Sequence, residues 1–268
     1  QHVCRSEGIH IVTRSLTNGH AVGGLVPEGR PCNIIPWRGH SLIGTTDRAY
    51  AGDPDKWEVT REKIEAYITE VNAAFGNPNL IRYEDVLYAY GGLRPLVEDE
   101  TKDVYRTSRR YEIYDNEADG LAGLFTVEGG KYTTSRGLAE NVLNTIAKKQ
   151  GRPPIRKLTA KSRLAGCDIP DMAAFLAQAK AACRDFAPAT VDTIARNYGT
   201  AYRTVLDLAR SDRRYAAPLT PDGEVAAEVV VAVRDEMART LPDILIRRTG
   251  IGTLGHPGPD VLAAVAAL

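Results

Sequence analysis

The sequence predicts an α+β domain, an antiparallel sheet with crossing helices, followed by an all-α domain. Short β-branched runs bounded by turn residues crowd the first half, and the apolar period changes to that of a helix from Thr60 onward. Alanine is also unevenly distributed. Residues 1–150 contain 11 Ala, whereas the 109 residues from Ala160 to Leu268 contain 23, and Ala is the strongest helix former. Between them, Gly151-Arg152-Pro153-Pro154 supplies a helix C-cap glycine and two prolines that prevent continuation. The expected domains are therefore 1–150 and 160–268.

Taken in order, Gly8-Ile9-His10-Ile11-Val12-Thr13, Asn33-Ile34-Ile35-Pro36-Trp37 and Ser41-Leu42-Ile43-Gly44-Thr45-Thr46 are expected to form neighbouring antiparallel strands. Ile64, Tyr67, Ile68, Val71 and Phe75 then recur at helical spacing, with Thr60 as N-cap and Gly76 beyond the end. Val86–Tyr90, Arg109–Tyr114 and Leu121–Val127 return to strand character. Leu138, Val142, Leu143 and Ile146 mark a helix ending in Lys148-Lys149. The second part offers helices at 170–186, 188–197, 200–210, 223–239 and 258–267, separated by Pro, Gly and Asp-Arg-Arg turns.

Composition excludes several functions. Lys+Arg 34 balance Asp+Glu 34, so the chain lacks the global positive field that holds proteins on nucleic acid, and no nucleic-acid partner is expected. No apolar run approaches the roughly 20 residues needed to span a bilayer. Cys4, Cys32, Cys167 and Cys183 are widely spaced with no CxxC pair, which fits reduced thiols in the cytoplasm. His2, His10, His20, His40 and His256 show no HxxxH, HxH or HExxH spacing, so no metal site is expected. The opening residues carry neither an initiator Met nor a signal-peptide pattern, which suggests a piece of a longer chain.

Gly250-Ile251-Gly252-Thr253-Leu254-Gly255 satisfies GxGxxG, but a dinucleotide fingerprint must open a helix inside a βαβ unit of about 30 residues. Only 13 residues follow Gly255. A loop between helices is expected there instead. Leu124–Val127 followed by Glu128-Gly129-Gly130-Lys131-Tyr132-Thr133-Thr134-Ser135 reads as a strand, a glycine turn and a helix start. The free N–H groups of such a terminus attract anions, although a plain helix capped by Thr133 or Thr134 fits the same pattern.

Gly91-Gly92-Leu93-Arg94-Pro95 places Arg94 where glycines permit close approach, and Arg109 and Arg110 supply two further guanidinium groups suited to phosphate or carboxylate. His10 alternates with Ile9 and Ile11. It is either a hydrogen-bonded core histidine or a general base titrating near neutrality.

The ordered series Gly8-Ile9-His10-Ile11-Val12, Ile35-Pro36-Trp37, Ile43-Gly44-Thr45-Thr46-Asp47, Gly52-Asp53-Pro54, Gly92-Leu93-Arg94-Pro95-Leu96 and Gly129-Gly130-Lys131-Tyr132-Thr133-Thr134 strongly resembles the FAD-dependent, quinone-linked (aerobic) glycerol-3-phosphate dehydrogenase family. The match runs over about residues 8–145. Glu228–Arg234, Glu236-Met237 and Asp243–Gly250 resemble the helical C-terminal domain of the same family. The resemblance implies a C-terminal fragment without the N-terminal FAD-binding Rossmann domain. It would hold a D-amino-acid-oxidase-like substrate sheet, the strand and helix that return to the FAD domain, and the helical C-terminal domain.

On that resemblance the whole enzyme oxidises sn-glycerol 3-phosphate to dihydroxyacetone phosphate and sends electrons through FAD to a quinone. It implies a protein on the cytoplasmic face of the membrane, a homo-oligomer as one arrangement, and an isolated chain that is colourless and inactive. Residue by residue, His10 and Lys131 match catalytic positions, Arg94, Arg109 and Lys131 match substrate cations, and Gly129, Gly130, Thr133 and Thr134 match the flavin-facing turn. The chain departs from the family pattern at Arg110, Tyr132 and Ser135. The alternatives are an alpha-glycerophosphate oxidase-like enzyme and a non-catalytic module binding a phosphorylated ligand or a partner.

Overall fold

A twelve-residue strand, β1 (Val3–Arg14), organises the first half of the computed structural model, which describes residues 3–97, 111–129, 131–155 and 157–268. The chain divides into two units, Gln1–Ala160 and Lys161–Leu268. In the first, β1 is followed by β2 (Val22–Leu25), β3 (Pro31–Trp37), β4 (His40–Gly44), β5 (Arg48–Ala49), α1 (Arg61–Ala74) and β6 (Val86–Val97). Strands β2, β3, β4 and β1 lie side by side, and β5 continues along the β1 edge beyond β4. The other edge of β1 is covered by β6 from Val3↔Val97 to Thr13↔Val86. Every pairing is antiparallel.

Alternation along β1 sends Ile9 and Ile11 to one face. There they join Ile34, Ile43, Val26, Cys32 and Ile81 under Ile64, Tyr67, Ile68 and Val71 of α1. Burying each such side chain contributes about 1.5–3 kcal/mol, which is what holds the helix across the sheet. Thr60 caps α1 as its sequence position predicts, its hydroxyl accepting the Lys63 N–H at 3.4 Å. Asn72 closes the exit from α1, donating to the carbonyls of Pro78 and Ile81 and accepting the Ile81 N–H.

The structure extends or shifts several expected strands. Tyr90 does not end β6. The strand continues through Gly91–Val97, because β1 supplies a pairing partner at each position and Gly91 packs so close that a Cβ there would lie 2.4 Å from the Gly8 carbonyl oxygen. After β7 (Tyr111–Asp115), the stretch Leu121–Leu124 is a turn rather than the start of a strand. Its ends are tied by hydrogen bonds from Leu121 N to Asn116 O and from Asn116 N to Leu124 O, so β8 begins only at Phe125 and runs to Gly129. Strands β7 and β8 form their own antiparallel pair. Helix α2 (Ser135–Lys149) follows, and its Lys149 reaches Asp115 at 2.6 Å and Glu117 at 2.9 Å.

The second unit contains α3 (Met172–Ala182), α4 (Pro188–Tyr198), α5 (Tyr202–Ser211), α6 (Ala226–Arg234) and α7 (Pro259–Ala266). Expected helix 223–239 is shorter because the chain turns at Met237, which takes a positive φ of 59°, and the Ala238 N–H bonds back to Ala232 O. Leu176, Ala179, Val191, Ile194, Val205 and Leu206 form one core. Val229, Ala232, Ile244, Leu245 and Val265 form another on the other side of α6. The Gly250–Gly255 segment is a short 3-10 turn between a π-helical turn at Asp243–Arg248 and α7, with neither a strand before it nor a helix opening on it. No helix among the described residues is long and apolar enough to cross a membrane.

Candidate functional site

Strand register decides which polar side chains meet. Ser6 lies opposite Arg94, Gly8 opposite Gly92, and His10 opposite both Tyr90 on β6 and Gly44 on β4. Directly opposed residues share a face of the sheet, and Ile9 and Ile11 occupy the face under α1. The row of Ser6, Gly8 and His10 therefore lies on the face turned away from α1.

Arg94 lies flat across β1. A Cβ added at Gly8 would fall 1.9 Å from its Nη2 and 2.4 Å from its Cζ, so only glycine at position 8 admits the guanidinium there. Nη2 donates to Thr45 Oγ1 at 2.9 Å and to the Thr46 carbonyl at 3.2 Å, while Nη1 donates to Ser6 Oγ at 3.3 Å and lies 3.5 Å from Asp47 Oδ1. Ser6 in turn donates to Asp47, whose side chain is only 4% exposed. The two terminal nitrogens that a bidentate anion contact would use thus already donate to protein oxygens. This modifies the sequence expectation for Arg94: its charge is fixed in place, and its fork is anchored from the protein side.

His10 is the neighbour of that guanidinium along β1. Its ring stacks on Tyr90, with centroids 5.1 Å apart and planes within 7°, and Tyr90 stacks in turn against Tyr88. On the other side the ring lies so close to Gly44 that a Cβ there would be 2.0 Å from the imidazole Cδ2. Burial, followed by the charge of Arg94, pushes the His10 pKa below its ordinary value, so the neutral imidazole is favoured. Beside these groups Gly92 faces open space, with nothing within 4 Å of where a Cβ would be. The face thus combines a fixed cation, a neutral imidazole and a bare glycine floor.

On the opposite face, Glu7 accepts the Trp57 indole N–H at 2.7 Å and Lys63 Nζ at 2.8 Å. Burial pushes the Glu7 pKa upward, but these hydrogen bonds and the Lys63 charge outweigh it and hold the carboxyl below its ordinary value. This cluster fastens α1 to β1, behind the site.

The remaining sequence candidates fall elsewhere. Lys131 is exposed just beyond β8, and Gly129 takes a positive φ of 77°. A single 3-10 turn, Tyr132–Thr134, comes before α2, and the long helix starts at Ser135 with Thr134, one of the two expected positions, at its N-cap. Thr134 occupies the N-cap position but does not cap: its hydroxyl donates to the Lys131 carbonyl and that of Ser135 donates to the Tyr132 carbonyl. The first-turn N–H groups of α2 thus receive no side-chain cap. Arg109, Arg110 and Gly130 lie outside the described residues. Among the described residues no cluster of three or more His, Cys, Asp or Glu is placed to hold a metal ion.

Sequence reasoning did not assign roles to Ser6, Gly8, Gly44, Thr45, Thr46, Asp47 or Tyr90 in this site. The one available signal was alternation: Tyr88, Tyr90, Gly92 and Arg94 fall on a single face if the strand runs on through the glycines.

Residues 157–268 match the family model for the C-terminal domain of alpha-glycerophosphate oxidase. Across 97% of its length the chain is 32% identical to a glycerol-3-phosphate dehydrogenase from Synechocystis sp., covering 48% of that protein. It is 27% identical to the aerobic glycerol-3-phosphate dehydrogenase of Bacillus subtilis over 93% of its length, covering 46% of that relative. A solved structure of the glycerol-3-phosphate dehydrogenase from Bacillus halodurans complexed with FAD superimposes on 93% of this chain and 48% of that one, with a TM-score of 0.72 and 28% identity.

Proposed function

Because this chain belongs to the glycerol-3-phosphate dehydrogenase family and spans about half the length of the relatives it matches, we propose that it carries the substrate-binding face of an FAD-dependent oxidoreductase. That enzyme converts sn-glycerol 3-phosphate to dihydroxyacetone phosphate and passes the electrons to a quinone. The observation that carries this reading is the pairing of Arg94 with His10. The guanidinium lies over Gly8, and the imidazole stands two residues further along the same face of β1, about 7 Å of strand away. A three-carbon phosphate laid over the Gly92 floor puts its phosphate by Arg94 and its secondary hydroxyl by His10.

Oxidation at C2 removes a proton from oxygen and a hydride from carbon. The neutral His10 ring takes the hydroxyl proton, a role for which its lowered pKa suits it at neutral pH. FAD, when bound, supplies the acceptor for the hydride. Arg94, fixed by Ser6, Thr45, Thr46 and Asp47, orients the phosphate without reorganising. Lys131 and Arg109 complete the cationic set by family correspondence. The residues Gly129, Gly130, Thr133 and Thr134 are assigned to the flavin on the same basis. The start of α2 fits that assignment, since the positive end of the helix dipole stabilises negative charge on a neighbouring group.

A second reading differs only in the electron acceptor. The match of residues 157–268 to the C-terminal domain of alpha-glycerophosphate oxidase favours transfer to oxygen. Turnover in a flavin-loaded form of the enzyme tests both, with dihydroxyacetone phosphate, quinone-analogue reduction and oxygen uptake followed together. Product coupled to quinone-analogue reduction supports the dehydrogenase reading, and product with stoichiometric peroxide supports the oxidase. Turnover unaffected by Arg94→Ala and His10→Ala overturns the site.

A further inference from the structure

We infer that Tyr90 is a positioning residue: together with the bare backbone of Gly44 it clamps the His10 ring in one orientation over the substrate face. This rests on the reading of His10 as the proton acceptor but goes beyond it, because nothing in the family match assigns Tyr90 or Gly44 a task.

The geometry is that of a slot. Strand register puts Tyr90 and Gly44 opposite His10 on its two sides. The Tyr90 ring lies nearly parallel to the imidazole at 5.1 Å. On the far side, the space of an absent Cβ at Gly44 is filled by the ring itself, with Cδ2 2.0 Å and Nε2 2.4 Å from the Cβ position. An imidazole has two rotatable bonds, and a slot closed on both sides removes most of that freedom. Tyr88 stacks behind Tyr90 at 5.9 Å and backs the outer wall.

Tyr90 acts through its ring face, so the phenol oxygen is dispensable to the clamp and Phe should replace it. The wall also keeps water from the imidazole, and burial is the main cause of its lowered pKa. Among the described residues, the titratable and charged groups brought beside the ring are Tyr88, Tyr90 and Arg94 from β6 and Asp47 from the connection after β4; β4 offers Gly44 opposite the ring, with His40 opposite Arg14 of β1 four residues further along the same face and Cys4 of β1 beyond Ser6. Of these, the Arg94 charge adds to the effect of burial on His10.

The test uses the 268-residue chain, with the His10 imidazole followed by NMR as a function of pH in the wild type, Tyr90→Phe, Tyr90→Leu and Gly44→Ala. Wild type and Tyr90→Phe should titrate together, below the ordinary histidine value. In Tyr90→Leu the outer wall is lost, and the midpoint should rise toward that value. Gly44→Ala, which forces the ring out from the other side, should change the His10 signals without touching Tyr90. Tyr90 is 39% exposed, so its replacement leaves the cores intact.

In a turnover-competent form, Tyr90→Leu should lower kcat about tenfold or more with little change in KM, and Tyr90→Phe should restore it. An unchanged His10 titration in Tyr90→Leu overturns the clamp whatever the activity does. A shifted titration with undiminished kcat leaves the clamp standing and overturns the assignment of His10 as base.

Discussion

Gly8→Ala places a methyl group where the Arg94 guanidinium now lies, 1.9 Å from Nη2 and 2.6 Å from Nη1. Ordinary carbon contacts begin near 3.5 Å, so the guanidinium must move outward by roughly 1.5–2 Å. Hydrogen bonds of 2.9, 3.2 and 3.3 Å to Thr45, Thr46 and Ser6 do not survive such a shift. Each is a charge-assisted bond worth about 1.5–3 kcal/mol at full burial. With the Arg94 side chain 29% exposed, water recovers part of that, and a net loss of about 2–3 kcal/mol is expected.

The effect on function should be of the same order as the effect on stability. A displacement of even 1 Å in a positioning group costs up to about 100-fold in rate. Denaturant melts paired with steady-state kinetics on glycerol 3-phosphate measure both, and Gly92→Ala is the stability control, since a Cβ there meets nothing within 4 Å. The expected result is a KM raised about 10- to 100-fold in Gly8→Ala, and a melt for Gly92→Ala within about 1 kcal/mol of wild type. If Gly8→Ala keeps its KM within about twofold, Arg94 does not hold the substrate from this position and the reasoning fails.

Other outcomes follow from the same geometry. Arg94→Ala should raise KM about 10- to 100-fold, and Arg94→Lys less, because Lys keeps the charge but loses the planar fork that Thr45 and Ser6 anchor. The pKa of His10 is lowered from 6.5, so the folding stability it contributes is complete above that pH and is lost as pH falls through the folded value. Melts between pH 8 and 5 should show this decline, and His10→Gln should flatten it. Leu206→Ala, at a fully buried site in the second unit, should cost about 2–5 kcal/mol by chemical denaturation. The carboxyl of Asp243, held down to about 2 chiefly by the Arg239 N–H and the Thr240 hydroxyl, should stabilise the fold fully above its ordinary value of 3.8 and lose that contribution as pH falls from there through the folded value; carbon-detected NMR titration follows its ionisation directly.

Helix α1 was legible in the sequence because its signals are local: a 3.6-residue apolar period, Thr60 at the cap and Gly76 after the end. The strand pair β1 and β4 was legible for the same reason. Strand β2 was not, since Val22-Gly23-Gly24-Leu25 has neither length nor alternation, and only pairing with β3 makes it a strand. The far half of β6 carries Gly91, Gly92 and Pro95, residues that normally end a strand. They are accommodated because, among the described residues, β6 pairs only with β1, and the missing Pro95 N–H is tolerated on such an edge.

The site divides along the same line. Arg94 and His10 could be singled out by residue type and neighbours. The cradle of Arg94 comes from Ser6, Thr45, Thr46 and Asp47, lying 88 to 47 positions away in sequence, and only strand register brings them together. The glycines at 8 and 44 carry no chemistry that a sequence displays, because what matters is the group occupying the space where their side chains are missing.

The central claim is that the face of β1 and β6 turned away from α1 binds glycerol 3-phosphate. An experimental structure with glycerol 3-phosphate bound tests it most directly. The account predicts the phosphate within hydrogen-bond reach of the Arg94 guanidinium, the chain over Gly92, and the C2 hydroxyl beside the His10 ring while that ring remains stacked on Tyr90. A phosphate bound elsewhere, with His10 and Gly92 untouched by the ligand, would contradict it.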